Sequence, residues 1–235
     1  MLEVTGLVVR YGSIEAVRDC DLTFDTGTIT AILGANGAGK SSLMKAISGL
    51  VPAAAGTIRI DGEDITALHA HRRARLGISH ALEGRRLFHS MSVDENLRVA
   101  WEFRHRGNDF KTASDRVFER FPMLATRRKT PAGLLSGGQQ QMVILSAALI
   151  HEPRYLLLDE PSLGLAPVIV QQIFAAISAV CRDSGTTIIL SEHVAALALS
   201  VAHQAYVLKQ GKVVRKGAAS ALAVDASLSA AYLGG

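Results

Sequence analysis

The chain has 235 residues, of which 49% are hydrophobic, and it carries a net charge of +4. Its apolar runs stay short of the roughly 18–20 residues that a membrane-spanning helix needs, and Met1–Val4 does not begin a signal peptide, so a cytosolic protein is expected. The basic residues form short, separate groups without interleaved aromatic residues, which argues against nucleic acid as a partner.

Short β-rich segments open the chain and predict a small antiparallel sheet that leads into a buried strand. They cover Leu2–Tyr11, Ala16–Phe24 and Thr28–Leu33. After a glycine loop, the pattern predicts a helix over Ser41–Leu50 and a short strand over Thr57–Asp61. The first part of the chain is therefore predicted to be mostly β.

The composition changes between about Arg85 and Leu149, where charged residues and helix formers predominate. Gly107, Pro122 and Pro131 interrupt this stretch. The change predicts an inserted helical subdomain, residues 85–149, within a single domain that spans residues 1–235.

The last third of the chain predicts a parallel sheet with a terminal hairpin. Tyr155–Leu158 is a continuous apolar run, which is typical of a strand buried on both faces. A helix over Val168–Arg182 and a second buried strand over Thr186–Leu190 imply a right-handed crossover. Tyr206–Lys209 and Lys212–Arg215 predict a hairpin, and a short alanine-rich helical end follows.

The segment Gly34–Ser41 matches the phosphate-loop pattern G-x-x-x-x-G-K-[ST] between a predicted strand and a predicted helix. Its glycines let successive backbone N–H groups face a phosphate, and the helix N-terminus adds partial positive charge. Lys40 is expected to reach the β- and γ-phosphates, and the Ser41 hydroxyl to ligate Mg²⁺. The residues expected to bind nucleotide here are Gly34, Asn36, Gly37, Gly39, Lys40, Ser41 and Ser42.

The apolar strand Tyr155–Leu158 ends in two carboxylates. We expect Asp159 to accept hydrogen bonds from the coordination shell of Mg²⁺. Glu160 is expected to polarise the attacking water. An acidic pair after an apolar strand is a weak signal alone. Downstream of a phosphate loop it becomes strong.

A second anion-binding pattern lies in Leu135–Gln139, just before a helical segment. Ser136, Gly137, Gly138 and Gln139 are expected to contact a nucleotide. One domain needs only one phosphate cradle, so the second predicts a paired arrangement in which each copy of this loop caps the partner's γ-phosphate. A plain helix cap would explain Ser136 but not the two glycines.

Together these motifs resemble the nucleotide-binding domain of ABC transporters over essentially the whole chain. The resemblance implies a P-loop NTPase α/β fold with an N-terminal antiparallel β subdomain and an inserted α-helical subdomain. It also implies ATP and Mg²⁺ as cofactors, and hydrolysis of ATP by Lys40, Glu160 and His193.

Further roles follow from position in the family pattern. Tyr11 lies where an aromatic ring stacks on adenine, and Ser162–Leu165 where a loop contacts the second cassette. His193 occupies the position that contacts the γ-phosphate. Glu83 replaces the glutamine that normally touches Mg²⁺ and the lytic water, so it is expected as a metal ligand with altered coupling.

Several segments are similar to one ATP-binding subunit of the branched-chain amino acid importers, namely Glu83–Phe88, Met91–Leu97, Pro161–Pro167 and Ala231–Gly235. Glu192–Val194 departs from that subunit's usual Glu-Gln-Asn. The alternatives are a paralogous importer for urea or organic acids and, with less support, a soluble ABC ATPase outside transport, which typically carries a second cassette or a coiled-coil insertion.

The resemblance implies partners and a location as well. The expected partners are a second ABC ATPase subunit, in a heterodimer or alternatively a homodimer, two membrane permease subunits and, indirectly, a periplasmic substrate-binding protein. The chain would lie on the cytoplasmic face of the inner membrane. The transported solute is not encoded in this chain.

Overall fold

The computed structural model describes residues 1–84, 86–103 and 109–225. In these ranges the strands are β1 (Leu2–Tyr11), β2 (Ile14–Phe24), β3 (Ile29–Leu33), β4 (Ala55–Ile60), β5 (Glu63–Asp64), β6 (Ile78–Ala81), β7 (Tyr155–Asp159), β8 (Thr187–Glu192), β9 (Gln204–Lys209) and β10 (Lys212–Ala218). The α-helices are α1 (Lys40–Ile47), α2 (Ala70–Arg75), α3 (Val93–Glu102), α4 (Phe110–Arg120), α5 (Pro122–Ala125), α6 (Gly137–Leu149), α7 (Pro167–Ser184), α8 (Ala195–Leu199) and α9 (Ala219–Ala223). Arg85, Gly107 and the Ala231–Gly235 motif lie outside the described residues.

The strands form two sheets. The first is antiparallel, in the order β2-β1-β4-β5, and the second has the order β10-β9-β3-β8-β7-β6. In the second sheet β9, β3, β8, β7 and β6 run parallel, and β10 pairs with β9 as an antiparallel hairpin. The predicted N-terminal antiparallel sheet, parallel sheet and terminal hairpin are therefore confirmed.

Alternate residues of the central strands face two apolar clusters, as the period of two in a strand requires. Leu156 and Leu158 join the cluster that holds α3, α4, α6 and α7, whereas Leu157 joins the one that holds α1 and the antiparallel sheet. The helices between β6 and β7 thus share their core with one face of the parallel sheet. No helix within the described ranges is both long and apolar enough to cross a membrane.

Some predicted boundaries were wrong. The helix after the glycine loop ends at Ile47 rather than Leu50, because Gly49 adopts a left-handed backbone with φ 76°. The strand predicted over Thr186–Leu190 continues to Glu192, and its last two residues are fully buried although they are polar. The short strand β6 was not predicted.

Arg73 fixes the C-terminal end of α1, and so the helix that begins at the phosphate loop. Its side chain is buried, and Nη1 donates to the carbonyl oxygens of Ala46 at 2.7 Å and Ile47 at 2.9 Å. Nε and Nη2 donate to the carbonyls of Leu68 and Thr66. A cation at a helix C-terminus is stabilised by the partial negative charge at that end of the helix dipole.

Candidate nucleotide-binding site

The phosphate loop connects β3 to α1 at the carboxyl edge of the parallel sheet, where α/β folds bind ligands. Gly39 is the N-cap of α1 and has φ 105°. A Cβ atom there would lie 2.3 Å from the carbonyl oxygen of Ala16, so only glycine fits. The loop therefore brings the start of α1 and its free N–H groups to an open concave surface.

That surface is a cavity of about 450 Å³. It brings together most of the nucleotide-binding residues expected from the sequence, with four of the six expected catalytic or metal-binding residues. Its lining includes Tyr11, Asn36, Gly37, Gly39, Lys40, Ser41, Ser42, Glu83 and Glu160. Gly34 contributes through its carbonyl group, which accepts a hydrogen bond from Lys40.

Lys40 is nearly buried, with 4% of its side chain exposed, and its ammonium group has two kinds of partner. Nζ donates to the Gly34 carbonyl at 2.8 Å and lies 3.1 Å from a carboxylate oxygen of Glu160. A phosphate oxygen in the cavity would compete with Glu160 for this cation. The pair thus couples phosphate binding to the freedom of the Glu160 carboxylate.

The arrangement around Asp159 fits a hard divalent cation. Ser41 Oγ donates to Asp159 Oδ1 at 3.0 Å, and Asp159 is 2% exposed. Its second oxygen, Oδ2, is buried and has no hydrogen-bond partner among the described residues. An orphaned carboxylate oxygen beside a hydroxyl suits Mg²⁺, which prefers oxygen ligands. Glu83 lines the same cavity and is exposed, so its carboxylate is free to turn toward such an ion.

Glu160 has a backbone conformation that non-glycine residues rarely adopt, with φ 48°. Its backbone N–H donates hydrogen bonds to two oxygens of Ser191, the carbonyl oxygen at 3.1 Å and Oγ at 3.2 Å. Ser191 Oγ in turn donates to Asp159 Oδ1 at 2.6 Å. Ser191 thus holds the Asp159 carboxylate and the backbone of Glu160, a role that the sequence did not reveal.

Glu192 is a second residue that sequence reasoning missed. Its side chain is fully buried, and burial raises the pKa of the carboxyl group. One oxygen accepts from the backbone N–H of Ser162 at 3.1 Å. His193 Nδ1 lies 3.8 Å from a carboxylate oxygen of Glu192 and 3.8 Å from one of Glu160. The sequence feature that could have identified it is the pair of polar residues, Ser191 and Glu192, that continues the apolar strand β8.

Ser136 is the N-cap of α6, and a capping box joins it to Gln139. Neither residue lines the cavity described above, and Ser136 is exposed. Gly138 is buried, and a Cβ atom there would come within 2.5 Å of Ile169 Cγ2. Close packing of α6 on α7 therefore gives Gly138 a structural reason that a helix cap alone does not supply.

Comparisons with known proteins point in one direction. The family model for ABC transporters matches residues 17–163. The chain is 42% identical to the high-affinity branched-chain amino acid transport ATP-binding protein BraG of Pseudomonas aeruginosa, over 100% of both chains. It is 32% identical to BraF, another high-affinity branched-chain amino acid transport ATP-binding protein of that organism, over 100% of this chain and 98% of BraF.

A solved structure agrees with these sequence matches. The ADP conformation of an ATP-binding cassette of an ABC transporter superposes with a TM-score of 0.88 at 25% identity. The match covers 100% of this chain and 99% of that one. The shared fold thus extends over the whole chain.

Proposed function

Since the chain belongs to the ABC transporter family, as one of its ATP-hydrolysing subunits, we propose that it powers uptake of branched-chain amino acids or a related amino acid or amide solute. The full-length identity of 42% to BraG, against 32% to BraF, supports this substrate class and a BraG-like position. An importer of urea or organic acids is the alternative, because other subunits choose the solute.

One observation carries the proposed chemistry, namely the cavity in which the phosphate-loop cation meets an acidic side chain. Lys40 binds the β- and γ-phosphates, and Glu160 accepts a proton from the attacking water once phosphate has displaced it from Lys40. His193, close to Glu160, contacts the γ-phosphate. Tyr11, 45% exposed at the cavity wall, stacks on the adenine.

We propose that Ser41, Asp159 and Glu83 hold Mg²⁺. When bound, the ion neutralises charge that develops on the phosphate oxygens. The hydrogen bond between Ser41 and Asp159 fixes the relative position of their side chains. Ser191 also donates to this Asp159 oxygen, so Oδ2 has no partner among the described residues and is left for a ligand.

The second half of each site belongs to another cassette. Ser136–Gln139 caps the start of α6 away from the chain's own cavity, so we propose that it caps the γ-phosphate bound by a partner. Exposed apolar side chains before this loop, in the Ser162–Leu165 loop and at the start of α7 support an interface, namely Leu134, Leu163 and Val168. Because Pseudomonas aeruginosa has both BraF and BraG, a heterodimer is favoured.

A second surface suits the membrane permease subunits. A largely apolar groove of about 410 Å³ lies between β6, the segment after it, α3 and α6. Exposed Phe88, Val99 and Phe103 border it. We propose that the permeases dock here, at the cytoplasmic face of the membrane, with a periplasmic binding protein delivering the solute to them.

The catalytic assignment is tested by Glu160→Gln. The amide keeps the shape but cannot take a proton, so we expect ATP to bind while hydrolysis falls at least about a hundredfold. Phosphate release and ATP binding are measured on the purified subunit with its partner cassette. Glu152→Gln, which alters an exposed carboxylate paired with Arg116, is the matched control and should keep wild-type turnover. Wild-type turnover in Glu160→Gln would refute the assignment.

The solute is tested in proteoliposomes that hold the complete transporter and its binding protein. Leucine, isoleucine or valine should stimulate ATP hydrolysis, and urea should not. Stimulation by urea or an organic acid alone would establish the alternative.

A further inference from the structure

The buried end of β8 connects two parts of the site that face different molecules. One is the Ser162–Leu165 loop, where exposed Leu163 marks the proposed cassette interface. The other is His193, which lies beside Glu160 at the reacting phosphate. Glu192 is the side chain that touches both.

We infer that Glu192 is a positioning residue that couples the Ser162–Leu165 loop to His193, so that closure of the cassette interface sets the histidine beside Glu160. The inference rests on the roles of Glu160 and His193 proposed above. Glu192 itself contacts neither nucleotide nor water in this account. It acts through the loop and through the histidine.

A hydrogen bond links Glu192 to the Ser162–Leu165 loop. Glu192 accepts from the backbone N–H of Ser162 at 3.1 Å, two residues beyond Glu160. The side chain is fully buried, so water cannot replace the bond if the loop moves. A shift of the loop therefore pulls on the Glu192 carboxylate directly.

Glu192 also lies close to His193. The Glu192 oxygen near His193 is buried and has no hydrogen-bond partner within the described ranges. It lies 3.8 Å from His193 Nδ1, and Glu160 Oε2 lies equally far from the same nitrogen. The ring thus stands between two carboxylates, and a small displacement brings it into hydrogen-bond range of either one.

Burial of the Glu192 carboxyl group costs free energy. A half-satisfied buried carboxyl group destabilises a fold, and the rest of β8 up to Leu190 is apolar apart from Thr187. The charged or titratable groups near Glu192 are His193, Glu160 and, across Glu160, Lys40, all members of the site. A costly buried carboxyl group whose charged neighbours among the described residues all belong to the site is best explained by a role in the site.

The test compares two variants of Glu192 with a control on the same strand. Glu192→Ala removes the acceptor for Ser162 N–H, whereas Glu192→Gln keeps an oxygen that can accept it. Thr187→Val is the control, because Thr187 is also fully buried and its Oγ1 accepts from Gly27 N–H, at the opposite end of β8. For each protein, the kcat and KM for ATP, ATP binding and the free energy of unfolding are measured with the partner cassette present.

We expect Glu192→Ala to lower kcat at least about tenfold with KM and ATP affinity within about twofold of wild type, since misplacement and not binding is the defect. Glu192→Gln should restore kcat to within about threefold of wild type. Thr187→Val should lose stability but keep its kcat.

Three results would overturn the inference: wild-type kcat in Glu192→Ala, a parallel loss of ATP affinity, or an equal kcat loss in Thr187→Val. Glu160→Gln in the same assay separates the two proposals. If it hydrolyses ATP normally, the catalytic assignment itself fails. If it is inactive while Glu192→Ala is normal, only the coupling fails.

Discussion

His80 is a half-buried histidine on β6 that makes stability depend on pH. Its Nδ1 lies 2.9 Å from Ser48 Oγ at the end of α1, and Nε2 is buried without a hydrogen-bond partner in the described part of the chain. Burial is the main cause that lowers the pKa of His80 from 6.5 to about 4. The folded protein therefore holds this ring neutral where the unfolded chain would protonate it.

Because the folded pKa is depressed, acid favours the unfolded state: the stability present above pH 6.5 is lost as pH falls toward about 4. A shift of this size corresponds to about 3 kcal/mol. We expect the free energy of unfolding of His80→Gln, measured with urea, to fall less than that of wild type between pH 7 and pH 4. His89→Gln, at an exposed histidine, is the control and should follow wild type. Parallel pH curves for His80→Gln and wild type would contradict this explanation.

At the residue scale, the sequence predicted the side chains that belong to contiguous motifs. Lys40, Ser41, Asp159 and Glu160 were expected, and the structure brings them together. Ser191 was not expected in a supporting role, because its contact with Asp159 joins residues on two different strands. Single-sequence patterns carry no information about such contacts between distant segments.

At the scale of elements, the apolar groove proposed for permease docking can be tested by comparing a valine that lines it with a valine that does not. Val99 on α3 and Val214 on β10 are similarly exposed, at 40% and 46%, but only Val99 lines the groove. Burying a new carboxylate against an apolar partner is costly. Val99→Asp should therefore reduce co-purification of the permease subunits at least about tenfold, whereas Val214→Asp should not.

ATP binding by the isolated subunit should be unchanged in both variants, since Val99 and Val214 lie outside the nucleotide cavity. Equal recovery of the permeases with Val99→Asp and with wild type would place the docking surface elsewhere.

Continuous apolar runs explain which strands were predictable. All five residues of β3 and of β7 are buried, and both were predicted with small errors at their ends. Half of the six residues of α2 are arginines, and the position of the helix depends on buried Arg73 and its bonds to α1. The bonds that hold α2 come from tertiary structure and leave no local pattern.

At the scale of the whole molecule, two cassettes are proposed to share each nucleotide. The chain's own cavity is lined by the phosphate loop, Glu83 and Glu160, and Asp159 joins it through its hydrogen bond with Ser41. The Ser136–Gln139 loop lies outside it. Family membership supports the shared site, and the geometry of the α6 N-terminus suits an anion from another molecule.

The structure offers a matched pair of variants for this claim. Ser136 and Ser92 are both N-caps in capping boxes, of α6 and α3 respectively. Aspartate also caps helices well, so Ser136→Asp and Ser92→Asp should both preserve helix starts. Only the first places a negative charge where the partner's γ-phosphate is proposed to bind. Gly138 is unsuitable for this test because Ile169 fills the space beside it.

The most direct test is sedimentation velocity of the Glu160→Gln protein mixed with its sister cassette, with and without Mg-ATP. We expect ATP to convert monomers to dimers, Ser92→Asp to leave this unchanged, and Ser136→Asp to weaken dimerisation at least about tenfold. Monomers at all ATP concentrations with both cassettes present, or full dimerisation of Ser136→Asp, would contradict the shared site.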